Sequence, residues 1–474
     1  MSKKLLSIIE RNIKSETMFF FEFFLNNNNS IFYKKYYKKM FFIYQIITLF
    51  QIIKTEELKF VFQVHRHGAR SPLKGVHKGV DCYGEEWIGR NELTEVGKRS
   101  HFLIGVRNRR RFIEKYKLLK KKFDTEEIEI YTTDFNRTIQ SVYAQLQGLY
   151  PEKTGKRIPN HLINTSLILP PTENYTKFYK EMELKYFYGK RANYSLPNRI
   201  NVFPFHFFYL PDHHIQLQSR SNCPNLKKFR GDVEKRDDII LFINKLTEKY
   251  GNALMKLENT TNKTFLYDYM TTYKYMDSFI SDITDGRNLS KLKELIGEEN
   301  MDDFKKMSFE FLYLDWNGTN YFNTKIAQVT MSYTFRRILR KMNAVINNQT
   351  RLKYIIYSMH DNTIGGFEIF NNLAFNTSLE YTYFAENVYL ELYLLNETYY
   401  VRLISNDVIR LDIPFKEFEK KVKKFLLTDE EIAEFCGWDK GKIENYTQLT
   451  RLIIFIVNTL LFLLFIINYV YHMK

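Results

Sequence analysis

Two arginines flank a histidine in the segment Arg66-His67-Gly68-Ala69-Arg70-Ser71-Pro72. A guanidinium offers a planar fork of donors that fits the oxygens of a phosphate. An imidazole held beside such an anion is placed to attack phosphorus. Gly68 carries no Cβ, so the backbone can approach a ligand closely. The chemistry this group suits is oxyanion binding with a histidine nucleophile.

The flanking residues say how the group is positioned. Phe60, Val61, Phe62 and Val64 read as a short buried strand, which Gly68 and Pro72 turn into a tight loop. Ligand sites of α/β folds lie at such carboxyl ends of strands. A second apolar strand, Tyr354-Ile355-Ile356-Tyr357, ends at His360-Asp361, so two strand ends can converge on one sheet edge. A third segment pairs a strand at Ile128, Ile130 and Tyr131 with a helix carrying Ile139, Val142, Leu146 and Leu149, stopped by Pro151. With Asp134 as the expected N-cap, Arg137 falls in the first turn, where the helix end favours anions.

Arg66, His67, Gly68, Arg70 and Pro72 match the Arg-His-Gly-x-Arg-x-Pro signature of the histidine acid phosphatases, and the chain resembles that family in landmark order from Lys59 to Asp412. The segment Leu93 to Phe112 resembles its Leu-Thr-x-x-Gly landmark, read here as an amphipathic helix on Leu93, Val96, Phe102, Leu103, Ile104, Val106 and Phe112. His360-Asp361 resembles its distal motif. The resemblance implies an α/β fold of the phosphoglycerate-mutase-like kind, a mixed sheet flanked by helices with a helix-rich insertion as a cap. It implies that His67 attacks phosphorus to form a phosphohistidine. Arg66, Arg70, Arg137 and His360 would hold the phosphate monoester, and a protonated Asp361 would act as general acid. No metal or other cofactor is expected, and activity should peak at acid pH. The same motif serves inositol-polyphosphate phosphatases and phytases. A phosphoglycerate-mutase-like transferase and a non-catalytic, membrane-bound phosphate-ester binding protein are the remaining alternatives.

The core is expected over about residues 54–155 and 344–427, within a domain extending to 451. The insertion, about 156–343, has helical stretches at 227–250, 267–282, 290–309 and 324–342. Asn387 to Leu394 and Tyr399 to Ile404, joined at Asn396-Glu397, read as a β-hairpin, and Phe415 to Phe425 as a helix. The three cysteines, Cys82, Cys223 and Cys436, contain no CxxC pair and allow at most one internal bridge. Leu210-Pro211 with Asn222-Cys223-Pro224 resembles a segment of animal family members in which the cysteine is disulfide-bonded; no partner for it is evident from the sequence.

Residues 1–53 contain Lys34, Lys35, Lys38 and Lys39 ahead of an apolar run from Met40 to Ile53, the pattern of a signal peptide or uncleaved anchor. Leu452 to Tyr471 contains no charged residue and is long enough to span a bilayer once, with a glycolipid-anchor signal as the rival. Many Asn-x-Ser/Thr sites accompany these segments, which together point to a lumenal or extracellular domain at a lysosome, phagosome or cell surface. Asn136 also fits that pattern but is expected to be buried in the site. The formal charge of +16 is densest from Arg107 to Lys122, which reads as a solvated face and not as a nucleic-acid surface. Animal members of the family often dimerise, so a homodimer is the protein partner the resemblance implies.

Overall fold

The computed structural model describes residues 56–73, 87, 89–162, 194–207, 223–225, 233–262, 266–316, 321–379 and 382–438. The leader, Cys82, the Leu210-Pro211 segment and the apolar run at 452–471 lie outside them. Among the described residues no helix is long and apolar enough to cross a membrane.

A seven-stranded mixed sheet forms the centre, in the order β3-β2-β4-β1-β5-β6-β7. The strands are β1 (Glu57–Arg66), β2 (Ile128–Thr132), β3 (His206–Phe207), β4 (Tyr354–Met359), β5 (Asn387–Leu395), β6 (Thr398–Ser405) and β7 (Val408–Pro414). The first four run parallel, and β5 to β7 continue antiparallel from β1. The central strand β1 alternates between two apolar layers. Phe60, Phe62 and Val64 pack under α7 (Tyr321–Ile346), α8 (Asp361–Phe375) and α9 (Phe415–Phe425). Val61 packs on the other face, with Leu146 and Leu149 of α2 (Asn136–Leu149). Both faces are therefore covered, as the parallel half of the sheet requires.

Helix α1 (Glu95–Asn108) departs from the amphipathic pattern read above. Val96 and Leu103 are 42% and 55% exposed, and the buried stripe is Gly97, His101, Gly105 and Asn108. The reason is a close crossing with α2. A Cβ on Gly105 would lie 1.9 Å from the Gln145 carbonyl oxygen, so this contact is made between backbones. The helix ends in a π-turn, Arg109–Lys115, that buries Phe112 and Ile113.

Between β3 and β4 come α3 (Asp237–Glu258), α4 (Tyr269–Asp285), α5 (Ser290–Ile296), α6 (Met301–Trp316) and α7. The first four share an apolar core of their own, including Leu246, Leu254, Met276, Phe279, Phe304 and Phe311. Gly297, with φ +86°, splits the single helix expected over 290–309. The hairpin forms as expected, with Asn396 and Glu397 both at positive φ, the geometry of a tight two-residue turn. A second such turn at Asn406-Asp407 adds β7, which the sequence reading lacked. Helix α10 (Asp429–Cys436), started by a capping box between Thr428 and Glu431, is likewise absent from the expectation above. Cys436, at its end, is disulfide-bonded to Cys223.

Candidate active site

β1 and β4 are paired in parallel with Arg66 opposite Met359. The His67 N–H donates to the Met359 carbonyl, 3.0 Å. That register brings His67 and His360-Asp361 together from distant parts of the chain, their imidazoles 5.5 Å apart. The loop after β1 is seated on two helices. Gly68 N donates to Ser141 Oγ of α2, 3.0 Å, and the Ala69 carbonyl accepts from Thr94 N, 2.9 Å, at the start of α1. A Cβ on Gly68 would lie 2.6 Å from the Gly97 oxygen, and one on Gly97 would lie 2.3 Å from the Ala69 oxygen. The Leu-Thr-x-x-Gly landmark thus forms the surface on which the loop rests.

His67 Nδ1 lies 2.9 Å from the Gly68 carbonyl oxygen. A carbonyl only accepts, so Nδ1 carries the proton and Nε2 keeps its lone pair. Burial lowers the His67 pKa well below its ordinary value, and Arg137, Arg66, Arg70 and His360 lower it further. The ring is neutral, as a nucleophile must be.

Three guanidiniums surround it. Arg66 donates through Nη2 to Asp361 Oδ2, 2.7 Å, and through Nη1 to the Thr382 carbonyl. Arg70 donates to both oxygens of Asp277 on α4, at 2.6 and 3.2 Å. Arg137, in the first turn of α2, donates through Nη2 to His360 Nδ1, 3.1 Å. Burial and the neighbouring Arg70 and Arg66 charges lower its pKa to about 10. The Nε–H groups of all three are buried and have no acceptor among the described residues. Unpaired buried donors are costly, and an anion is the group that would satisfy them.

Because His360 Nδ1 accepts from Arg137, its proton sits on Nε2, which donates to Thr133 Oγ1, 2.9 Å. Burial and then the Arg137 charge lower His360 to about 3, so it too is neutral. To serve a phosphoryl oxygen its N–H must leave Thr133. Asp361 opens α8, with Oδ1 accepting from Asn362 N, 2.8 Å. Burial raises its pKa, but Arg66, Arg70, His360 and that N–H outweigh burial and bring it to about 2. The carboxyl expected to be protonated is ionised in the free site, because the Arg66 and Arg70 charges and the Asn362 N–H favour its anion.

All six expected residues, Arg66, His67, Arg70, Arg137, His360 and Asp361, come together. Two details differ from expectation. Phe135, not Asp134, is the N-cap of α2. Asn136 is exposed, held by Glu92 at 2.8 Å, because the first turn points Arg137 inward and its neighbour outward. Residues that the motifs did not announce are Thr133, Asp277, Phe135 and Phe384. The Phe384 ring lies 4.1 Å from the Arg66 guanidinium carbon and 5.6 Å from the His67 ring. Phe135 packs 4.5 Å from the Arg137 guanidinium carbon and edge-on to His360. Neither phenylalanine stands out in a chain with 41 of them, and Asp277 lies mid-helix with no motif around it.

Residues 57–406 match the model of the histidine phosphatase superfamily, branch 2, and the chain belongs to that family. Among curated proteins it is 27% identical over 337 residues to lysosomal acid phosphatase of Xenopus laevis, covering 68% of this chain and 65% of that one. It is 24% identical to prostatic acid phosphatase of Bos taurus, over 73% and 80% of the two chains. The match to human lysosomal acid phosphatase, 24% identical, covers 66% of this chain and 62% of the relative. Of solved structures, the phytase of Klebsiella sp ASR1 superposes with a TM-score of 0.52 at 12% identity, covering 79% of this chain and 97% of that one. A Hafnia alvei phytase in complex with myo-inositol hexakis sulphate gives 0.51, also at 12% identity, over 80% and 98%. These two structures share the fold.

Proposed function

We propose that the chain is an acid phosphatase that hydrolyses phosphate monoesters through a phosphohistidine. The observation that carries this reading is a neutral His67 whose free Nε2 stands among three arginines with unpaired buried Nε–H donors. The relatives' names, lysosomal and prostatic acid phosphatase, agree with it.

Arg66, Arg70 and Arg137 hold the phosphoryl oxygens and balance the charge of the transition state. The P–N bond to His67 Nε2 forms as the ester P–O bond breaks. The leaving oxygen takes a proton from Asp361. Asp361 is ionised in the free site, so that proton arrives with the substrate. A phosphate monoester keeps one proton below about pH 6, and binding it neutralises the arginine field that holds Asp361 near 2. Protonation of the substrate and its transfer to Asp361 account for an acid optimum. Water then attacks phosphorus, Asp361 takes its proton, the P–N bond breaks, and phosphate leaves. His360 donates to a phosphoryl oxygen once its N–H turns from Thr133.

The test is hydrolysis by the full chain and its His67→Ala variant between pH 4 and 8, with chelator present. Acid-peaked activity, unaffected by chelator and lost in the variant, supports the reading, as does an acid-labile phosphoryl group trapped on His67. No turnover of any ester by a folded wild type overturns it. Aryl phosphates set against myo-inositol hexakisphosphate separate the monoesterase from the phytase reading.

We also infer a lumenal or extracellular domain tethered through residues 452–471 and preceded by a leader. The Cys223–Cys436 bridge belongs to an oxidising compartment. The sequon asparagines 259, 262, 288, 348, 376 and 396 are all exposed. Glycosidase-sensitive mass and membrane fractionation test this, and a homodimer is tested by light scattering.

A further inference from the structure

The turn from Thr382 to Glu386 takes no part in the chemistry above, yet it holds two of the residues that do. Arg66 N donates to the Glu386 carbonyl and Ala385 N to the His67 carbonyl, each at 3.0 Å. The Thr382 carbonyl accepts from the Arg66 side chain, and Phe384 covers Arg66 and Arg70. The turn is closed by the Glu386 carboxyl, whose Oε2 accepts from Tyr383 N at 2.9 Å.

Behind the turn stands Glu368 of α8. Glu386 is 2% exposed and Glu368 7%, and the two carboxyls meet at hydrogen-bonding range. Glu386 Oε1 and Glu368 Oε2 are buried, and among the described residues the Ser405 hydroxyl is the side-chain donor beside the pair, one proton for two carboxyls. Two carboxylates can only accept, so a buried contact between them requires a proton. The other charged and polar groups facing the pair are Arg66 of β1, Arg410 of β7 and the Ser405 hydroxyl of β6.

We propose that Glu368 and Glu386 share a proton, and that this proton fastens the 382–386 turn onto Arg66 and His67, so that its loss as pH rises loosens the site. Both glutamates are then positioning residues, and the inference rests on the phosphatase reading above. Burial raises both pKa values, Glu386 to about 7 and Glu368 further, where the Glu386 charge adds to burial. The folded protein keeps a proton that the unfolded chain releases near the ordinary carboxyl value. Glu386 releases its own proton at about 7, which leaves the one proton on Glu368 shared between the two carboxyls; that proton, and the stabilisation with it, is lost only as pH rises further, through the higher Glu368 value.

The experiment compares wild type with Glu368→Gln, whose amide donates to Glu386 at every pH. The substrate is an aryl phosphate whose phenol departs without protonation, which removes Asp361 from the alkaline limb. The expected result is a kcat/KM that falls above neutral pH in wild type and persists in the variant. The ratio of values at about pH 9 and pH 5 should rise about tenfold. Infrared spectra of wild type should also show a buried carboxylic-acid band that survives above about pH 7, disappears only at higher pH, and is missing there from the variant. Superimposable alkaline limbs, or no such band in wild type, overturn the proposal. If wild type hydrolyses nothing, the phosphatase reading fails, while the infrared band still decides whether the proton is shared. A variant that does not fold leaves the decision to the wild-type band.

Discussion

Arg70 and Asp277 form a two-pronged ion pair in which both side chains are almost fully buried, 2% and 3% exposed. It joins the loop after β1 to helix α4 of the inserted region. Asp277 Oδ2 also accepts from Leu73 N, 2.9 Å. One carboxylate therefore sets the guanidinium plane and fixes the loop that carries it.

Removing that carboxylate should cost both stability and activity. Breaking a buried pair from one side strands the other charge, a loss of about 3–5 kcal/mol. Asp277→Ala is expected to lower the melting temperature and to cut kcat/KM by about a hundredfold or more. Asp277→Asn keeps the shape and one acceptor and should fall between. Thermal melts and steady-state kinetics on the same preparations check this.

The leaving group reads out Asp361. Asp361→Asn removes the proton donor and the partner of Arg66. Alkyl phosphates, whose alkoxides need a proton, should slow by about 10²–10⁴. Aryl phosphates with strongly acidic phenols should slow far less. A plot of rate against leaving-group pKa should steepen in the variant; parallel plots would place the proton donor elsewhere.

Buried histidines should make the fold sensitive to acid, even in an enzyme that works there. His65, His67, His101 and His360 are all shifted down, with burial the leading cause in each. The unfolded chain gains protons on them below its ordinary value of about 6.5, while the folded protein does not. Their contribution is full above that value and is lost as pH falls. His101, at about 4 in the fold, should alone take away about 2 kcal/mol between pH 7 and pH 5. His101→Gln should flatten the dependence of melting temperature on pH over that interval.

The Cys223–Cys436 bridge closes a separation of 213 residues. Its loss should cost about 2–5 kcal/mol and release α10 first, since Cys436 is that helix's last residue. Melting with and without reductant, alongside a Cys223→Ala/Cys436→Ala variant, measures it. Non-reducing peptide mapping should find the two cysteines in one linked fragment.

The parts of the site legible in the sequence are those where chemistry and strand pattern coincide. Arg66, His67 and Arg70 follow a buried strand, and His360-Asp361 follow another, so local composition carries both the fold and the residues. Asp277 was hidden because an aspartate inside a helix carries no local signal; only the fold brings Arg70 to it. The outer face of α1 misled for the opposite reason: Val96 and Leu103 have the spacing of a buried stripe, but a backbone-to-backbone crossing at Gly105 claims the inner side. The charge of Asp361 also escaped, since it depends on guanidiniums set around it from three different elements.

The pairing of β1 with β4 and β5 has a consequence for biosynthesis. β1 is the first of the described strands to leave the ribosome, and the strands on both its sides follow only after β2, β3 and the whole inserted region. At about 5–20 residues per second, the 293 residues after Arg66, up to and including its partner Met359, take roughly 15–60 s to make. During that interval Phe60, Phe62 and Val64 belong to a strand with two open edges. A nascent chain must shield that strand, and no fragment ending before β5 can hold a finished site.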